Sequence, residues 1–271
     1  MYLTRHQTEM GPRWAVDRKF LPEDFTMRLL LELPREAMVA VLREAMTEEP
    51  ADGPLLPPVD PHHEVWASGV TYLRSRDARE AESETGDIYT RVYTAERPEL
   101  FFKALGWRVV GHQAPVRVRP DSLWNVPEPE LTLVINRHRQ IVGYCVGNDV
   151  SSRSIEGANP LYLPQAKVYR GSCALGPGIC LADPEAMTDL SIGMEIERGE
   201  AVVFEEELST SQMKRGLRDL VSYLYREMAF PYGVYLMTGT GIVPPDAFTL
   251  QAGDLVRIRI DDLVLENSVE G

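Results

Sequence analysis

The sequence predicts an α+β, β-rich protein in which a small N-terminal α/β domain precedes a larger sheet-rich one. A proline-rich break, P-A-D-G-P-L-L-P-P-V-D-P at 50–61, separates the two parts. Beyond it, short apolar and β-branched runs punctuated by turn residues dominate, as in a sheet-built domain. Only one helical pattern stands out among those runs, at 213–228.

Each element follows from its own pattern. R-E-A-M-V-A-V-L-R-E-A-M at 35–46 has the spacing of an amphipathic helix. The five prolines and one glycine of 50–61 cannot continue a helix or a central strand, which sets a boundary near residue 62 and domains over 1–62 and 63–271. V-W-A-S-G-V at 65–70 reads as a buried strand. R-S-R-D-A-R-E-A-E-S-E at 74–84 is polar all round, which suits either a plain exposed helix or a lid with no apolar face to dock. L-T-L-V-I at 131–135, a turn through N-R-H-R, and Q-I-V-G-Y-C-V-G at 140–147 form a hairpin, with His138 solvated at its tip. The 213–228 helix places Met213, Leu217, Leu220, Val221 and Leu224 on one face, offers Ser209, Thr210 or Ser211 as N-cap, and ends before Pro231 and Gly233. L-V-R-I-R-I-D-D-L-V-L-E-N at 255–267 alternates like sheet.

With 44% hydrophobic and 25% charged residues over 271 positions, the chain has the composition of an ordinary soluble protein. Its formal charge of −13 disfavours nucleic acid and anionic membrane as partners and attracts divalent cations. Cys145, Cys173 and Cys180 form no CxxC and leave one thiol over in any pairing, which fits reduced cysteines, with Cys145 in the core. The N-terminal M-Y-L-T-R-H-Q-T-E-M-G-P-R-W has no apolar signal core, and Glu32 cuts the Leu29-Leu30-Leu31 run short, so the expected location is the cytoplasm.

The segment N-V-P-E-P-E-L at 125–131 carries the chemistry. Alternate strand positions share a face, so Glu128 and Glu130 stand side by side, as a solvated edge or as half a metal site. The hairpin returns the chain to Asp149 in G-N-D-V-S-S-R, bringing a third carboxylate beside the pair. An all-oxygen site without nearby His or Cys suits Mg²⁺, or Mn²⁺, rather than zinc.

P-E-P-E-L, G-N-D-V-S-S-R, K-V-Y-R-G-S-C-A-L-G-P at 167–177, T-G-T-G at 238–241 and A-G-D-L-V at 252–256 together resemble, in that order, the fumarylacetoacetate hydrolase superfamily. The resemblance covers roughly residues 65 to 271 and implies a mixed β-sandwich or roll as catalytic domain, a magnesium triad of Glu128, Glu130 and Asp149, and homo-oligomers, dimeric or tetrameric. Within it, G-N-D-V-S-S-R-S-I-E-G-A-N-P-L-Y-L-P-Q-A-K, R-P-E-L-F-F-K at 97–103 and L-M-T-G-T-G-I-V at 236–243 look most like the 2-keto-3-deoxy-D-arabinonate dehydratase branch.

That likeness implies that Lys167 reaches the substrate, Glu99 sits across from it, and Thr240 holds the substrate carboxylate. Lys167 alone would pass for a surface lysine, Glu99 for a first-turn acid and Thr240 for part of a glycine turn. Lys103 and Arg153 add positive charge for the substrate anion or pair with neighbouring acids. Hydrolases and decarboxylases of the superfamily carry N-Y-x-x-H-x-x-E after the first strand; here T-Y-L-R-S-R-D-A puts Ser75 and Ala78 at the His and Glu places, and neither is a base, whereas a slip of register would bring in Asp77 or Glu80. Ser154 stands where the family often has Asp.

The expected function is a Mg²⁺-dependent hydro-lyase acting on a small 2-keto-3-deoxypentonate to give 2,5-dioxopentanoate. Lys167 and Glu99 would move the protons, with Arg153, Lys103 and Thr240 binding substrate. The rival readings are a carbon–carbon hydrolase or 2-keto acid decarboxylase of the same superfamily, and a catalytically silent binding homologue.

Overall fold

The computed structural model describes residues 1–82 and 87–271, so residues 83–84 of the polar segment 74–84 lie outside the described residues. The chain opens with strands β1 (Tyr2–Thr8) and β2 (Gly11–Val16) and the helices Met27–Leu31 and Arg35–Ala45. Strands β3 (Glu64–Gly69) and β4 (Glu99–Leu105) flank the helices Leu73–Glu82 and Asp87–Thr94. The hairpin comprises β5 (Pro129–Ile135) and β6 (Ile141–Asp149), followed by β7 (Cys173–Leu181), β8 (Ser191–Arg198) and β9 (Ala201–Ser209). After helix Leu217–Leu224 come β10 (Val234–Met237), β11 (Leu255–Ile260) and β12 (Leu263–Glu270).

Two sheets stack into layers. The larger, ten-stranded sheet runs β2-β1-β7-β6-β5-β10-β3-β4, with Lys19–Phe20 beyond β2 and Leu55–Leu56 beside β1. The smaller runs β9-β8-β11-β12 and ends on Val116–Arg117. One core fills the space between the sheets with Leu131, Leu133, Ile192, Ile258 and Leu265, and the apolar face of helix Leu217–Leu224 joins it. A second core lies on the far face of the large sheet, where Leu30, Met38 and Leu42 cover Val134, Cys145 and Leu175. Every residue of β5 and β6 is therefore buried, which explains why their sequences read as near-continuous apolar runs rather than alternating ones.

The hairpin turn is built by Asn136, whose Oδ1 accepts from the amides of His138 at 3.0 Å and Gln140 at 2.9 Å. His138 is exposed there and its Nε2 is 3.2 Å from the Glu32 carbonyl. The helix expected over 213–228 is confined to Leu217–Leu224. Ser209 instead caps a separate 3₁₀ turn, Thr210–Gln212, by accepting from the Ser211 amide at 3.0 Å, and Gly216 breaks the pattern between the two. The residues ahead of 62, expected as a small domain, extend the large sheet through Leu3 opposite Ile179, and Leu3, Trp14 and Leu42 share the core of Val134. All three cysteines are free, with Cys145 and Cys173 buried. Among the described residues no helix is long and apolar enough to cross a membrane.

Candidate metal centre and active-site pocket

The pairing of β5 with β6 sets Gly147 opposite Glu130, and Asp149 lies two residues on, on the same face. The amide of Asp149 donates to the Glu128 carbonyl at 3.0 Å, which ties the strand end to the start of β5. The structure thus brings Glu128, Glu130 and Asp149 together with carboxylate oxygens all within 4.8 Å of one another, and all three are buried. Their position at the strand ends, inside the protein, rules out a solvated edge.

Three cations balance the three acids. Lys167 Nζ donates to Glu128 Oε2 at 2.7 Å, Asp149 Oδ2 at 3.2 Å and Ser151 Oγ at 2.5 Å. Arg153 Nη1 donates to Glu128 Oε1 at 3.0 Å. Lys103, also buried, pairs with Asp149 Oδ1 and donates to the carbonyls of Val150 at 3.2 Å and Lys167 at 2.5 Å. The Lys103 ammonium and the Arg153 guanidinium both pair with carboxylates of the cluster. Ser154, in place of the family's Asp, bonds Ser122 Oγ at 2.8 Å and leaves the Arg153 guanidinium to Glu128.

Glu130 is held differently, by the Gly239 amide at 2.6 Å. Burial first, then the charges of Asp149 and Glu128, push its carboxyl well above the ordinary range, against the opposing pull of Lys167 and the Gly239 amide. An all-carboxylate, buried oxygen set with one member short of positive charge fits Mg²⁺ or Mn²⁺.

Beside the cluster lies a tight pocket walled by Glu99, Lys167, Thr240 and Glu156. Glu99 starts β4 opposite Gly69 of β3, and its carboxylate lies over that glycine so closely that a methyl there would overlap it. Thr240 belongs to the loop after β10, in which Gly239 takes φ +89°. Its hydroxyl accepts from the Ile242 amide at 3.2 Å. Ser75, on helix Leu73–Glu82, also lines the pocket, and neither it nor Ala78 supplies a base to activate water.

Sequence reasoning missed Glu156 and Ser68. Glu156 lies three residues after Arg153 on helix Arg153–Ala158, both buried. The i, i+3 spacing that puts them on one helix face was the available signal.

A buried carboxylate triad mounted on the central hairpin, with a lysine and a glutamate facing one small cavity beside it, defines a metal-dependent enzyme rather than a scaffold. The chain belongs to the fumarylacetoacetate hydrolase family, whose C-terminal domain model matches residues 64–270. It is 51% identical over 216 residues to a probable 2-keto-3-deoxyxylonate dehydratase of Haloferax volcanii, covering 78% of this chain and 73% of that one. It is 42% identical over 211 residues to the 2-dehydro-3-deoxy-D-arabinonate dehydratase of Saccharolobus solfataricus, covering 76% and 70%. The fold superposes on a 2-keto-3-deoxy-D-arabinonate dehydratase solved with magnesium and 2,5-dioxopentanoate at TM-score 0.85 and 34% identity, over 100% of this chain and 99% of that one.

Proposed function

We propose that this protein is a Mg²⁺-dependent hydro-lyase that removes water from 2-keto-3-deoxy-D-pentonate to give 2,5-dioxopentanoate. The observation that carries this reading is the placement of Lys167 and Glu99 around one pocket against the triad, with Ser75 where a water-activating pair would need a histidine. If the xylonate of the first relative is taken in the D series that the second relative's name states, the two names describe one substrate. Arabinonate and xylonate differ only at carbons 2 and 3, and those centres are lost in the 2-keto-3-deoxy acid.

Glu128, Glu130 and Asp149 would hold the ion, and a Mg²⁺ there supplies Lewis-acid polarisation of the 2-keto group, making a carbon-3 hydrogen acidic. Lys167 is the ammonium held by the acids above; a metal ion held there would take over their charge, leaving its amine free to take the carbon-3 proton. Glu99 in its acid form protonates the hydroxyl leaving carbon 4, so one water departs. Transfer of a carbon-5 hydrogen to carbon 3 then gives an enol, and passage of its hydroxyl proton to carbon 4 gives the aldehyde. Arg153 and Lys103 orient Glu128 and Asp149 from behind, and Thr240 stands at the pocket wall to receive the substrate carboxylate. The −13 charge does not oppose an anionic substrate, because distant surface charges are screened within about 8 Å at physiological salt.

Incubation with D- and L-2-keto-3-deoxypentonates and a 2-keto-3-deoxyhexonate, with and without Mg²⁺, tests the reading. Aldehyde from the D-pentonate only when Mg²⁺ is present is expected; pyruvate or carbon dioxide instead would mean a carbon–carbon lyase, a hydrolase or a decarboxylase. We also place the enzyme in the cytoplasm as a dimer or tetramer, in keeping with the family resemblance, and light scattering of the purified protein tests the assembly.

A further inference from the structure

We infer that Arg215, which is not among the residues lining the pocket, is a positioning residue for the proton donor Glu99. The inference rests on the dehydratase reading and adds a residue to it. Arg215 is 9% exposed and lies in M-K-R-G at 213–216, between the 3₁₀ turn Thr210–Gln212 and helix Leu217–Leu224. Its guanidinium donates to three backbone carbonyls, from Nη2 to Val92 at 3.1 Å and Ala95 at 2.8 Å, and from Nη1 to Glu96 at 2.9 Å. Its ion-pair partner among the described residues, Asp219, stands 4.0 Å away with half of its side chain exposed. Burying a guanidinium is costly unless its donors are used. Here they go to the main chain, so what they fix is the path of the backbone.

Those carbonyls close helix Asp87–Thr94 and begin the turn into β4. The last carbonyls of a helix have no partner inside it and favour cations. Lys214 joins Arg215 there, its Nζ donating to the Tyr93 carbonyl and standing 4.2 Å over the Tyr93 ring. The Tyr223 hydroxyl adds a bond to Glu96 Oε1 at 3.0 Å. From Glu96 the chain has only Arg97 and the buried Pro98, whose ring fixes φ, before it reaches Glu99. Holding Glu96 therefore sets the direction in which Glu99 enters β4.

The same segment also holds the seat of the Glu99 carboxylate. The Lys214 amide donates to the Thr71 carbonyl at 3.0 Å, and Met213 bridges to Tyr72. Thr71 lies two residues beyond Gly69, the glycine over which the Glu99 carboxylate rests. Gly69 opposite Glu99 is the last rung of the β3–β4 ladder, and the long connection 70–98 leaves no tight turn to close it. Ladder ends of that kind open readily unless something beyond them is tied down. Residues 213–215 tie down both chains at that end.

The test separates two steps. Exchange of the carbon-3 hydrogens of bound pyruvate with deuterated solvent calls on Mg²⁺ and Lys167, whereas water loss from 2-keto-3-deoxy-D-pentonate also calls on Glu99. Arg215→Met should lower kcat for water loss roughly 10- to 100-fold, the scale of a misplaced reacting group, with exchange and Mg²⁺ affinity at the wild-type values. Arg215→Lys, which keeps a donor for one carbonyl, should fall less. Added to Glu99→Gln, Arg215→Met should slow the residual water loss no further. Unchanged kcat in Arg215→Met overturns the inference. So does an equal fall in exchange and water loss, which marks a general structural lesion, or a full additional fall in the double variant. Should thermal unfolding show that Arg215→Met does not fold, Arg215→Lys supplies the same comparisons. A wild type that exchanges the carbon-3 hydrogens but releases no water overturns the dehydratase reading, and the role of Arg215 falls with it.

Discussion

Gly239 and Glu130, 109 residues apart in sequence, are joined by one short hydrogen bond, the glycine amide donating to the carboxylate Oε2 at 2.6 Å. The bond couples the loop after β10 to the metal cluster, and it depends on a glycine. Gly239 sits at φ +89°, and a methyl there would overlap the Thr71 hydroxyl, which itself donates to the Thr238 carbonyl at 2.7 Å. Gly239→Ala should therefore lose about 1–2 kcal/mol of stability for the left-handed backbone alone. It should also weaken Mg²⁺ binding roughly tenfold or more, the value of one hydrogen bond to a charge. Thermal unfolding and calorimetric Mg²⁺ titration read the two effects; unchanged Mg²⁺ affinity would leave the loop without a role in holding Glu130.

Replacing Glu130 by Gln should stabilise the metal-free protein. Burial and two neighbouring carboxylates raise its folded-state pKa above the unfolded 4.5, so its contribution is fully present below that value and is lost as pH rises through the folded one. At neutral pH the neutral amide removes that cost. For the parent, Mg²⁺ at a hundredfold excess over its Kd should add about 2.7 kcal/mol, with the half-saturating concentration rising as pH falls and protons compete at Glu130. Glu130→Gln should lose most of this response, as well as turnover. A variant as Mg²⁺-responsive as the parent would remove Glu130 from the metal site.

Lys103 is expected to matter for stability before binding. Its ammonium is buried against Asp149 and two carbonyls, so Asp149→Asn strands a buried cation and should cost about 3–5 kcal/mol in urea unfolding. Lys103→Met should cost stability too, since it leaves Asp149 with Lys167 as its remaining ion-pair partner. Should Lys103→Met keep full stability and raise only the KM for substrate, Lys103 would belong with the substrate instead.

Glu99 and Gly69 offer a test of placement. Gly69→Ala must push the Glu99 carboxylate off its seat while leaving the triad untouched. An ångström of misplacement costs on the order of a hundredfold, so kcat should fall by about that much with Mg²⁺ affinity unchanged. Full activity in Gly69→Ala would argue that Glu99 does not act on the reacting atoms.

Lys167→Met keeps the apolar stem and removes the amine. Exchange of carbon-3 hydrogens of a bound 2-keto acid with deuterated solvent, followed by NMR, should slow by roughly a hundredfold or more, the usual loss on removing a general base. Exchange at the wild-type rate would transfer the base role to Glu99, which Glu99→Gln then tests in the same assay.

By itself the sequence determined what local periodicity can carry. Strand alternation put Glu128 beside Glu130, and the hairpin between them and Asp149 needed only a turn that Asn136 supplies from within itself. The amphipathic pattern at 35–46 likewise became helix Arg35–Ala45. The apolar pattern of 213–228 extends further than the helix itself, because Gly216 and the capped 3₁₀ turn break the backbone where the pattern continues.

Tertiary structure decided everything that depends on residues distant in sequence. That β1 would complete the sheet at β7, that Lys103 would turn to Asp149, that Gly69 would seat the Glu99 carboxylate, and that Glu156 would close the pocket wall were set by packing between elements. No period of two or 3.6 residues records which strand a strand will pair with or which acid a buried lysine will meet. Those choices are made when the two cores close, because a buried charge must find its partner within the space that packing leaves.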